Sequence, residues 1–584
     1  MQYSLLADVY QKLESTAKRL KKIKVLSDFI KSVPEDDFEQ VFLLVQGKIF
    51  PDFDERKIGV ASKILCKAIA LATGIDISVV LDEWKRIGDL GEVAEKLCAK
   101  KTQSTLFQKS LTVKKVFSNL QKLAFLEGEG TVDKKIALVS ELLTCASPLE
   151  AKYVIRTILE DLRVGLGEGT LRDSVLWAFF SEELGLEYLD EKNEIVVNRE
   201  KYNEFSEIVQ SAYDVLVDFA VVALIAKTKG LNGLKSVELS PGKPVKVMLY
   251  QKAVSIPDAF DKVGRPAAFE FKYDGFMALI NKKGNEIRLF TRRLEDVTRQ
   301  FPDVVEKIRN INGDFILNAE IVGVDSNGRY LPFQKISQRI KRKYDIELMA
   351  KKFPVVINVF DILFFNGKSL LNEPFVKRRK ILETLCPEIL AVQLVTDNDF
   401  EAERFYKKSL AAGNEGVMVK NLNGVYKPGS RVGYGVKVKP VMETVDAVIV
   451  AAEWGEGKRS DWLASFTIAV LDKDSDSFVE IGKVGTGIKE KDVNKGDDSS
   501  VSFNQLTELL KPLIIEDKGK EVRVKPEIVI EVNYEEIQKS NNYGSGFALR
   551  FPRLIKLRPD RSIKDITTLD ELEIFFRDQR GRNK

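Results

Sequence analysis

The stretch Ala268-Phe269-Glu270-Phe271-Lys272-Tyr273-Asp274-Gly275-Phe276-Met277 alternates as a strand does and then turns. Phe269, Phe271 and Tyr273 fall on one face; Glu270, Lys272 and Asp274 fall on the other. One face can enter a core while the other sets a lysine between two carboxylates. Asp274-Gly275 ends the strand. A lysine so placed is either a nucleophile or an acid-paired bystander, and four residues of Lys-x-Asp-Gly do not decide which.

The surrounding chain narrows the choice. It has 584 residues, 30% charged and 44% apolar, the balance of a soluble globular protein of about three or four domains. No apolar run approaches the roughly 18 residues of a membrane helix, and the first residues lack a basic, cleavable leader, so no membrane association is expected. Cys66, Cys98, Cys145 and Cys386 lie too far apart for a disulfide framework or a zinc site, which points to a reducing, cytoplasmic setting. The net charge is only +4, so nucleic-acid binding would rest on local basic patches. There is no histidine. That excludes Ser-His-Asp triads, Cys-His pairs and His-liganded zinc, and leaves Lys, Arg, Asp, Glu or an oxygen-bound metal to do chemistry.

Upstream, residues 1 to about 225 read as helices. In 150–163, Ala151, Val154, Ile155, Ile158, Leu159 and Leu162 form one apolar stripe, with Lys152, Arg156 and Arg163 opposite. Gly165, Gly167 and Gly169 precede a helix expected to start at Thr170, where a backbone can approach phosphate. A phosphate contact and a solvated basic face are both consistent with these residues. The segment 227–244, rich in Gly, Pro and Lys, reads as a linker into a second domain.

Downstream, strands end in charged or aromatic groups: Arg292-Arg293, Asn318 and Glu320, Phe360-Asp361, Glu415 to Lys420, and Lys437 with Lys439 on one face. Together they suggest a polyanion pocket that holds a metal. From about residue 441 the chain is strand-rich again, over 444–451, 465–471, 478–484 and 528–532, a count that suits a small oligonucleotide-binding barrel. The polar stretch 489–500 reads as a loop. Arg550-Phe551-Pro552-Arg553, at the start of a run with five basic residues in 550–561, reads as a phosphate grip or a solubilising edge.

These motifs, in this order, resemble the ATP-dependent DNA ligases, most closely the archaeal ones. Lys272-Tyr273-Asp274-Gly275 resembles nucleotidyltransferase motif I, Ala319-Glu320 motif III, Phe360-Asp361 motif IIIa, Glu415 to Lys420 motif IV, Lys437-Val438-Lys439 motif V and Arg550 to Arg553 motif VI. The resemblance implies a multidomain α+β protein: a helical DNA-binding domain over 1–230, an α/β adenylation domain over 231–440 and an OB-fold barrel over 441–584. It implies that Lys272 takes AMP from ATP, with Glu270, Arg292, Glu320, Phe360, Arg431, Lys437 and Lys439 around the nucleotide. Glu320 and Glu415 would serve Mg²⁺. Lys152, Arg156, Arg163, Arg550 and Arg553 would contact nicked duplex DNA. A monomer is implied, and a sliding-clamp partner is left open.

Three positions depart from the family pattern. Met277 stands where it has arginine, Gly435 where it has tryptophan, and Gly544 where it commonly has arginine. Methionine cannot replace charge-assisted hydrogen bonds of about 1.5–3 kcal/mol each, a loss of roughly 10- to 150-fold. The readings that compete are an RNA ligase or capping guanylyltransferase, neither of which has the long helical domain, and a nick-binding clamp with an impaired pocket.

Overall fold

The computed structural model describes residues 1–579, apart from 52, 55, 102–109, 127, 129, 341, 343, 441–442, 456–458, 460 and 491–500. The expected loop over 489–500 therefore lies mostly outside the described residues. The chain divides into two compact units. The first holds Met1–Gln251, Gly275–Val392 and Leu422–Tyr434; the second holds Lys252–Asp274, Gln393–Asn421 and Gly435–Lys584. The division cuts through the expected adenylation domain within motif I, between Asp274 and Gly275.

In the first unit, helices from Tyr3–Glu14 to Phe219–Lys235 pack around one large apolar core. The helix Pro148–Ile158 shows why local sequence fixes an element. Ser147 caps it, Glu150 reaches back to the Ser147 N–H at 2.8 Å, and Pro148 occupies the first turn, where its missing N–H is harmless. The following helix is Glu168–Leu184, starting two residues before the expected Thr170. Two expectations are corrected. The supposed linker from 227 begins inside the helix Phe219–Lys235, whose backbone breaks only at Gly230 (φ 59°, ψ −157°). A short hairpin, Glu187–Leu189 with Glu194–Val196, interrupts the helices.

The same unit carries a five-stranded antiparallel sheet in the order Glu286–Thr291, Phe276–Lys283, Phe315–Gly323, Val355–Phe365, Lys368–Ser369. On one side Ile280, Leu289, Leu317 and Val359 meet the helix Pro302–Arg309 through Val304 and Ile308, and buried Lys282 on the same face donates to the Arg309 carbonyl at 3.0 Å.

In the second unit, Ala267–Lys272 is the middle of three strands, flanked by Gln393–Thr396 and Gly416–Asn421, both antiparallel to it. Gly435–Val438 pairs with the far side of Gly416–Asn421. The C-terminal region is strand-rich as expected: Ser477–Val484, Leu463–Asp472, Val445–Trp454, Glu521–Val524 and Ile514–Asp517 lie in that order, and Val529–Asn533 bridges Val445–Trp454 to Arg553–Leu557. Its core is Val, Ile and Leu from alternate positions, with Phe503, Leu506 and Leu510 of the helix Phe503–Leu510 covering one side.

All four cysteines are free; Cys66, Cys98 and Cys386 are buried, and Cys145 is half-buried. Among the described residues, no helix is long and apolar enough to cross a membrane.

Candidate active site

The strand Ala267–Lys272 is buried along its length, and only Lys272 at its end is partly exposed. The charged face is therefore lined by partners. Lys272 Nζ lies 2.7 Å from Glu415 Oε2, and Lys439 Nζ lies 2.9 Å from the same oxygen. One carboxylate thus sits between two ammonium groups. The backbone enforces this, because the Glu415 N–H donates to the Lys272 carbonyl at 2.8 Å. Gly416 follows at φ +138°, and a Cβ there would stand 2.1 Å from the Val438 carbonyl oxygen. Only glycine lets the motif IV and motif V strands approach so closely. Lys439 also lies 3.7 Å from Glu535, a weak contact with a half-exposed partner.

Glu270, two residues before Lys272, is 2% exposed and both its oxygens are engaged. Lys420 Nζ approaches Oε2 at 2.6 Å, and Gln393 Nε2 donates to Oε1 at 2.9 Å. Lys437 is half-buried on its strand, across from Met418.

The first unit holds the other expected nucleotide residues. Gly275 lies where a Cβ would stand 2.3 Å from the Ile321 carbonyl oxygen and 3.0 Å from Glu320 Cγ. The motif I glycine therefore permits the strand carrying Glu320 to pass closely. Met277 faces Glu320 in register on the neighbouring strand. Phe360 is half-buried between buried Val359 and Asp361. Asp361 and Arg378, each 1% exposed in side chain, form a two-pronged pair at 2.7 and 3.1 Å, and Arg378 also donates to the Gly424 carbonyl at 3.2 Å. Asn318 Nδ2 and the Met248 N–H both donate to the Tyr426 hydroxyl, at 2.9 and 3.0 Å. Arg292 and Arg431 are exposed at the ends of their strands.

The expected DNA contacts on the helix Pro148–Ile158 need correcting. Arg156 is 3% exposed and holds Asp89 at 2.8 Å and Glu14 at 3.0 Å; Lys152 lies 3.2 Å from Glu14. Burial would raise the Asp89 carboxyl, but the bonds and charge of Arg156 outweigh it and hold the group below its usual range. These cations are internal braces, because the helix is covered on every side and the polar face had to find partners. Arg163 is half-exposed at φ 59° and reaches Asp89 at 3.1 Å and Asp161 at 2.7 Å. In the C-terminal region, Arg550 lies 3.3 Å from Glu536 while Arg553 is exposed. At Gly544 an added Cβ would meet nothing within 4 Å.

Profiles of three ligase segments match the chain: the DNA ligase N terminus over residues 2–175, the ATP dependent DNA ligase domain over 247–439 and the ATP dependent DNA ligase C-terminal region over 459–561. The chain belongs to the ATP-dependent DNA ligases. It is 47% identical to a DNA ligase of Nanoarchaeum equitans, covering 100% of this chain and 99% of that one. It is 41% identical to a DNA ligase of Thermococcus fumicolans, covering 99% and 98%. The solved structure "Pmar-Lig_PreS3" matches 94% of this ligase and 99% of its own chain with a TM-score of 0.51 at 16% identity, a likeness of fold.

Two sets of residues in this ligase escaped the sequence reading. Gln393 and Arg378 lie in no motif quoted above, and nothing local marks them. Lys420 was visible as the basic end of motif IV, but its pairing with Glu270 depends on strand register.

Proposed function

We propose that this ligase seals nicks in duplex DNA through AMP carried on Lys272. The observation that carries the reading is the single oxygen, Glu415 Oε2, held between Lys272 and Lys439 at 2.7 and 2.9 Å. Lys272 Nζ attacks the α-phosphorus of ATP. A P–N bond forms, the bond to the bridging oxygen of pyrophosphate breaks, and pyrophosphate leaves. The attacking amine must be uncharged, and its proton has Glu415 Oε2 within hydrogen-bond reach. Lys437 and Lys439 supply charge for the phosphates, and Glu270 holds the base. AMP then passes to the 5′-phosphate of a nick, and the 3′-hydroxyl displaces it. Charge neutralisation and in-line positioning dominate such chemistry, so a chain without histidine can perform it.

Mg²⁺ suits these donors. Among the described residues no three His, Cys, Asp or Glu side chains cluster as a metal cage. Mg²⁺ typically takes one or two carboxylates plus substrate phosphate oxygens. Glu415 is the carboxylate we assign to it, and it would neutralise phosphate charge. The test is the intact mass of the protein after incubation with ATP and Mg²⁺ without DNA. A gain of one AMP is expected; no gain, with ATP demonstrably bound, overturns the reading.

Met277 offers a second measurement. An arginine there would stand in register with Glu320. Met277→Arg is expected to raise kcat/KM for ATP in the adduct assay by about 10-fold or more, restoring one charge-assisted bond. An unchanged or lower value would show that other groups already do this work.

Duplex binding is expected to fall steeply with salt, because phosphate contacts release counterions. A slope of log Kd against log[salt] near zero would refute phosphate-led binding. Arg156 is excluded from those contacts, so an Arg156→Met protein that remains folded should keep the wild-type slope.

A further inference from the structure

Glu270 is flanked on both sides of its strand. Gln393 stands directly opposite it on one neighbour, and Met418 stands opposite it on the other, with Lys420 two residues along on the same face. The result is a row of three polar side chains across three strands: Gln393 Nε2 at 2.9 Å from one carboxylate oxygen, Lys420 Nζ at 2.6 Å from the other. Glu270 and Lys420 are 2% and 4% exposed in side chain, while Gln393 is half-buried at the row's open end.

The chemistry of the row is one-sided. An ammonium group at 2.6 Å makes Glu270 an acceptor and not a donor. Gln393 gives its NH₂ to Glu270, which leaves its carbonyl oxygen as an acceptor. Two acceptors side by side match a 6-amino group, which carries two N–H donors. They repel a 6-oxo group, which brings a third acceptor and leaves both partners unmatched, and unmatched polar groups are where nucleotide discrimination is greatest. Building on the assignment of Glu270 to the base, we propose that Gln393 is a specificity-determining residue of this ligase. It presents the second acceptor for a 6-aminopurine, and Lys420 is the positioning residue that locks Glu270 in place.

The test compares ATP with inosine triphosphate as AMP or IMP donor, scored as lysyl adduct by intact mass without DNA. Wild-type protein should form adduct with ATP far faster than with inosine triphosphate. Gln393→Ala removes a half-buried side chain and should fold; it should narrow the ATP-to-inosine ratio by about tenfold. Lys420→Arg keeps the charge and should retain the wild-type ratio, whereas Lys420→Met should lose it. A merely structural role would slow both nucleotides equally. If Gln393→Ala leaves the ratio unchanged while wild-type adduct forms on Lys272, the proposal fails and the nucleophile assignment stands. If adduct persists in Lys272→Ala, the underlying assignment fails instead.

Discussion

Lys272→Ala is expected to gain no AMP when incubated with ATP and Mg²⁺, while its affinity for nicked duplex stays within about twofold of wild type, since phosphate contacts set that affinity. The substitution removes the nucleophile, so the loss should be complete within detection and should not appear merely as a raised KM. The geometry also names the one neighbour that could substitute. Lys439 Nζ touches the same Glu415 oxygen at 2.9 Å. Once Lys272 is gone, Lys439 has that carboxylate's company without its competitor. Peptide mapping of any residual adduct is therefore decisive. Label on Lys439 would reassign the nucleophile, and no label anywhere would leave Lys272 as the AMP carrier. The fold should survive, because Lys272 is the least buried residue of its strand.

Arg378→Ala is expected to lower the stability of the sheet that carries Phe360 by about 3–5 kcal/mol, because it strands a buried carboxylate without its partner. Asp361 and Arg378 are each 1% exposed. Burial alone would pull the guanidinium down, but Asp361 more than compensates and holds it above its ordinary value. At about 2–4 °C per kcal/mol for a domain of this kind, the corresponding thermal transition should fall by roughly 6–20 °C. The pair Arg378→Met with Asp361→Leu provides the control. Replacing a buried ion pair by apolar groups of similar volume is often neutral or stabilising, so the double variant should recover most of the loss. A drop below about 1 kcal/mol in Arg378→Ala would mean that water or another cation reaches Asp361. Adenylation should suffer in the single variant beyond its stability loss, because Arg378 also ties the strand of Phe360 to the Gly424 carbonyl.

The sequence was most legible where one residue type has one plausible use. Motif I read as a strand ending at Asp274-Gly275, and the strand ends at Lys272. The C-terminal strands announced themselves by alternation, and four of them fall within a few residues of expectation. Helical periodicity found the helix but carried it to 163 where it ends at Ile158, with Glu160 and Arg163 at positive φ, and it was silent about the polar side. Arg156 and Lys152 looked like a solvated face because periodicity separates apolar from charged residues without saying whether acids wait opposite. Asp89 and Glu14, 67 and 142 positions away from Arg156, supplied the answer. The same limit hid Gln393, which meets Glu270 across 123 positions. The Gly-rich stretch after 227 misled for another reason. A glycine costs a helix about 1 kcal/mol, which packing against a large core offsets.

The cysteines carry a practical consequence. A thiol reacts as its thiolate, and burial pushes Cys386 up to about 12 and raises Cys66 and Cys98 as well. With those three sealed in their cores, alkylating and oxidising reagents are left chiefly with half-buried Cys145. A single cysteine introduced on an exposed helix could therefore carry a fluorophore or spin label against a nearly silent background, once Cys145 is replaced by serine.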